Sequence, residues 1–72
     1  MNFINDEIKI DFAVSQEIRE FMNAAEQADK SNDIGDYMAY ANNIDIAAKH
    51  CFMAGELSQK QWNLLCMRYT QQ

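Results

Sequence analysis

The sequence predicts an all-α fold, a small three-helix domain, on three observations. Its 72 residues contain no proline and only two glycines, Gly35 and Gly55, so little interrupts a helix. Apolar residues recur at helical spacing in three successive stretches. Each break between those stretches carries residues that cap helices. The expected architecture is a helical hairpin of the second and third helices with the first packed across it. The length allows one domain, and a chain this short buries only ~60% of the surface its unfolded form exposes.

Residues 1–12 are expected to form an N-terminal arm or a helix extension. Ile8, Ile10 and Phe12 alternate with Glu7, Lys9 and Asp11 as a strand would, yet Ile4, Ile8 and Phe12 also share a helical row. A strand here would have no second strand in the chain to pair with, which favours a helix or an ordered arm. The first helix is expected over about 13–30. Val14, Ile18, Phe21, Met22, Ala25 and Ala28 make its apolar side, and Gln16, Arg19, Glu20, Asn23, Glu26 and Gln27 its polar side. Asp11 or Ser15 can accept hydrogen bonds from the free N–H groups of its first turn.

Lys30, Ser31, Asn32 and Asp33 break the pattern and predict a turn. Asp33 is a good N-cap, and Asp36 then faces the positive end of the second helix dipole. That helix is expected over about 34–54, with Ile34, Tyr37, Met38, Ala41, Ile44, Ala48, Cys51 and Phe52 as its core row. Gly55 supplies the left-handed residue that ends a helix. Ser58 and Gln61 form a capping-box pair for a third helix over about 59–69, and Leu57 with Trp62 has the spacing of a hydrophobic staple. Trp62, Leu65, Cys66 and Tyr69 give its apolar row.

No residue pattern calls for an enzyme, a metal, a cofactor or a small-molecule substrate. The single histidine, His50, sits beside Cys51, and even with Cys66 this gives at most three soft ligands without CxxC or HxxxH spacing. The two thiols lie on apolar rows and are read as small hydrophobic residues. Asp33 with Asp36, and Glu17 with Glu20, are carboxylate pairs in first turns, where they serve helix electrostatics. No stretch approaches the ~20 apolar residues that span a bilayer, so no membrane is expected. Two cysteines and an acidic, unexported-looking N-terminus point to a reducing, cytoplasmic compartment.

The net charge is −5, concentrated in residues 1–30, where seven acids face three bases. Such a balance repels phosphate backbones and counts against nucleic acid as a partner. The alternative reading is a DNA-binding helix-turn-helix with Gly55 at the turn and Cys51 at the small position. It puts Gln61 where that motif wants an apolar residue, and its recognition helix offers only Lys60 and Arg68 as bases beside Gln59, Gln61 and Asn63.

The run from Ala54 through Gly55, Glu56, Leu57, Ser58, Gln59, Lys60 and Gln61 to Trp62 resembles the glycine turn and capped helix of the short C-terminal helical hairpin domains of many bacterial proteins. That resemblance implies a role in oligomerisation. The chain lacks the basic residues usual in the last helix of that family, and is not assigned to it.

A second row on the long helix is left over. Gly35, Ala39, Ile46 and Met53 are interleaved with Asn42 and Lys49, and Ile46 and Met53 lie roughly 130° or more from the centre of the row made by Ile34, Ala41, Ala48 and Phe52. Either the first helix or the arm wraps round to cover them, or another molecule does. Tyr40 adds an amphipathic ring of the kind enriched at interfaces. The expectation is a small non-enzymatic protein–protein interaction or regulatory module, working through a face that includes Ala39, Tyr40, Ile46 and Met53, with a homodimer among the possible assemblies.

Overall fold

The computed structural model describes residues 3–70 and consists of three helices: α1 (Gln16–Lys30), α2 (Ile34–Met53) and α3 (Gln59–Tyr69). No strand is present among the described residues. At its N-terminal end each helix is closed by a side chain. Ser15 Oγ accepts from the Ile18 N–H at 3.2 Å, and Asp33 Oδ1 accepts from the Asp36 N–H at 3.1 Å. At α3 the capping box is complete: Ser58 Oγ accepts from the Gln61 N–H at 3.1 Å while Gln61 Oε1 accepts from the Ser58 N–H at 2.9 Å.

The C-terminal ends of α1 and α2 use one device twice. After α1, the Asp33 N–H reaches Ala28 O and the Asn32 N–H reaches Asp29 O; after α2, the Glu56 N–H reaches Cys51 O and the Gly55 N–H reaches Phe52 O. Both are Schellman motifs, and each needs one left-handed residue. Gly55 takes it at φ 81° and Asn32 at φ 57°. Asparagine tolerates that region better than most residues, and so the polar cluster after α1 can make a tight turn without glycine.

α2 is central, with α1 on one side and α3 on the other, and its contact with α1 is the more extensive. The buried sides of α1 and α2 are rich in small residues, Ala25 and Ala28 on one, Ala41, Ala47 and Ala48 on the other, with Ile18 and Ile44 between. Small side chains let packed helices approach closely. Leu57, Leu65 and Tyr69 complete the core from the α3 side.

Residues 3–15 are neither strand nor helix but an ordered arm. Ile4 is buried, and Phe3, Ile10, Phe12 and Val14 pack against the core. The Asn5 N–H donates to Arg68 O at 2.9 Å, the Phe3 N–H donates to Asp29 Oδ1, and the rings of Phe3 and Tyr37 lie 5.1 Å apart. The arm thus joins the end of α1 to the end of α3.

Two members of the expected core row are exposed. Ile34 is 54% exposed and Met38 57%. α3 has 11 residues against 20 in α2, and it ends where the Tyr69 carbonyl meets the Tyr37 hydroxyl. Ile34 lies nearly a turn beyond that point, and Met38 sits on the rim of the α2–α3 groove. Ala47, absent from the expected row, is buried instead, because the core is centred nearer to α1.

Candidate functional site

Ala39, Ile46 and Met53, three exposed apolar residues of the second helix, share one side of it. Around α2, Tyr37 belongs to the core, and helix geometry places Ile46 about 180° and Met53 about 160° away from it. The structure leaves Met53 72% and Ile46 46% exposed, with Ala39 exposed within about 40° of both. Neither the arm nor α1 wraps round to cover this row. Ile46 leans toward α1, lining a shallow groove of about 210 Å³ with Glu17, Phe21, Asn43, Ala47 and His50. Met38 and Ile34 extend the apolar surface toward α3 at the other end of the helix.

Tyr40 separates from that set. It is half-buried beside α1, in a groove of about 270 Å³ shared with Ala24, Gln27, Ala28, Ser31, Asp33 and Asp36. About 140° of helix lies between it and Met53. The structure therefore brings Ala39, Ile46 and Met53 onto one surface and places Tyr40 on another.

The opposite side of α2 is held by polar cross-links that connect distant parts of the chain. The Tyr37 hydroxyl donates to Tyr69 O at 2.6 Å and lies 3.3 Å from Phe3 O. The Tyr69 hydroxyl donates to Glu26 Oε2 at 3.0 Å. Arg68 Nη1 donates to Ile8 O at 2.7 Å and lies 3.4 Å from Asn5 O, and the guanidinium is 4.0 Å from both Asp6 and Glu26 carboxylates. Burial, with the Asp29 carboxylate nearby, pushes the Tyr37 phenol up to about 12, and burial does the same to Tyr69. Glu26 was expected on the solvent side of α1; α3 recruits it.

This clasp also removes Arg68 from the would-be recognition helix. With its guanidinium turned to the arm, the exposed base of α3 is Lys60, beside Gln59 and Asn63. A second polar link joins α2 to α3: Asp45 Oδ1 accepts from Trp62 Nε1 at 3.3 Å and from Cys66 Sγ at 3.1 Å, while the Trp62 ring meets Phe52 at 5.1 Å. Burial, then the Asp45 carboxylate, raises the Cys66 thiol to about 11, and burial, then Glu56, raises Cys51. Neither thiol is activated as a nucleophile. These links were missed from sequence because nothing in helical spacing marks a polar residue that will meet another helix.

No cluster of three or more metal-binding side chains exists among the described residues. The grooves of about 180, 210 and 270 Å³ fall below the ~300 Å³ at which ligand pockets begin. No helix among the described residues is long and apolar enough to cross a membrane. Comparison with known protein families, curated proteins and solved structures yields no match to this chain.

Proposed function

We propose that this protein is a small non-enzymatic interaction or regulatory module that docks through the outward side of α2. The observation that carries the reading is the exposure of Ile46 and Met53, continued by Ile34 and Met38, on a helix whose other sides are occupied by α1, α3 and the arm. Large apolar side chains left exposed on a small domain cost solubility unless they are covered in use.

The test pairs Ile46→Glu with Met53→Glu and compares retention of binding partners by the variant and the unaltered protein, with circular dichroism reporting the fold. The expected result is a folded variant that has lost its partners, because charges buried unpaired in an interface cost several kcal/mol. Unchanged partner binding by a folded double variant overturns the reading. DNA binding through α3 remains the alternative function; retention on DNA that weakens steeply with salt would establish it in place of protein docking.

A further inference from the structure

We propose that the cleft filled by the arm is a peptide-binding groove, that the arm is its built-in competitor, and that its outside ligand is an extended segment of another protein carrying an aromatic–aliphatic pair. α1 and α3 scarcely touch each other, and the arm bridges them, from Asp29 on α1 to Arg68 on α3. It is held there largely by its main chain, as a bound peptide is. Arg68 Nη1 donates to Ile8 O at 2.7 Å, the Asn5 N–H donates to Arg68 O at 2.9 Å, and the Phe3 N–H donates to Asp29 Oδ1. Bonds of this kind hold an extended segment of almost any sequence, while pockets for its side chains choose among sequences. Each of them joins residues far apart along the chain, so none needs the arm to be covalently tied to the body.

The arm is itself the template for the ligand. Among its described residues only Ile4 is fully buried, and the Phe3 ring beside it lies 5.1 Å from the ring of Tyr37. These two side chains make the selective contact. Further along, Lys9, Asp11 and Ala13 are exposed while the residues between them turn inward, the alternation of an extended segment laid on a surface. A tethered arm competes at an effective concentration of roughly millimolar. The arm of a second copy would make the same contacts without the tether and gain nothing. A foreign segment with the same pair, and with residues that reach beyond the arm, gains contacts and can displace it.

The test adds a synthetic peptide of residues 3–14 to the full chain carrying Ile4→Asp, whose own arm is weakened while its groove is intact. N-acetylation of the peptide keeps the Phe3 N–H an amide. The melting temperature should rise by at least ~4 °C at about 1 mM peptide. The unaltered chain should bind at least about tenfold more weakly, because its own arm fills the groove and apparent affinity falls with the competent fraction. A peptide carrying Ile4→Asp should have no effect, and one N-methylated at Asn5, which cannot donate to Arg68 O, should bind about tenfold more weakly. Should the Ile4→Asp chain fail to fold, Ile4→Ala takes its place. No rise with either variant, or an equal rise with the Ile4→Asp peptide, overturns the groove; equal binding of the N-methylated peptide overturns the main-chain hold. An unaltered chain whose mass doubles from 8.4 kDa at about 1 mM, with Phe3 of one copy against Tyr37 of the other in isotope-filtered spectra, gives the groove to a second copy and overturns the foreign segment. The response is independent of Ile46 and Met53, so its failure leaves the outward side of α2 to its own test.

Discussion

The two sides of α2 are built on different terms. Toward the arm, Tyr37 is buried, its hydroxyl is engaged by backbone from both ends of the chain, and Arg68 and Glu26 carry the network on to α1 and α3. Toward solvent, Ala39, Ile46 and Met53 are exposed, and Asn42 and Lys49 between them are exposed too. A helix in a three-helix domain has more circumference than two neighbours can cover. The arm closes one of the gaps, and the other is left open. Stability should therefore reside on the inner side and be almost insensitive to the outer one.

The largest effect is expected at Tyr69, which is 1% exposed. Tyr69→Ala removes a core ring and the hydroxyl that reaches Glu26, and should cost ~3–5 kcal/mol, most of what a domain of this size has. Urea unfolding followed by circular dichroism measures it. A loss below ~1 kcal/mol would mean that the inner side is not the core.

Arg68→Ala should come next, at ~1.5–3 kcal/mol, because it deletes charge-assisted hydrogen bonds to the arm carbonyls of Ile8 and Asn5. Amide exchange sharpens the comparison: protection should fall over residues 3–12 while the α1–α2 seam keeps its own. Loss of protection spread evenly over all three helices would show that the arm is part of one cooperative unit rather than a strap over it.

Alkali should loosen the inner side before anything else. Burial favours the protonated thiol of Cys66, raised from 9.0 to about 11, and the protonated phenols of Tyr37 and Tyr69, raised from 10.0 to about 12. For groups raised in the folded state, stability is complete below the ordinary value and is lost as pH rises toward the folded one. A first decline is expected between pH 9 and 11 and a steeper one above 10. Cys66→Ala should remove the early part. A stability that stays level from pH 8 to pH 11 would contradict the burial of these groups.

The smallest effect is expected outside. Met38→Gln and Met53→Gln should each change stability by no more than ~0.5 kcal/mol, since Met38 is 57% and Met53 72% exposed. A melting temperature lowered by several degrees would show that the outer side contributes to the fold.

Helical spacing, together with Ser15, Asp33, Gly55 and the Ser58–Gln61 pair, was enough to read three helices and their order, because capping is local chemistry that a few adjacent residues complete by themselves. The surplus row of Ala39, Ile46 and Met53 was legible too, as apolar side chains on the wrong side of a helix. Only the tertiary structure decided which apolar residues became core. Ile34 and Met38 satisfy the period as well as Tyr37 and Ala41 do, but coverage depends on where the shorter α3 ends. Likewise Glu26 reads as a solvent-side residue and Arg68 as a free base along the chain, and nothing marks Asp45; all three became cross-links because folding brought partners to them from residues 17 to 63 positions away. Periodicity records which faces of a helix can be buried; the lengths and placement of its neighbours determine which of them are.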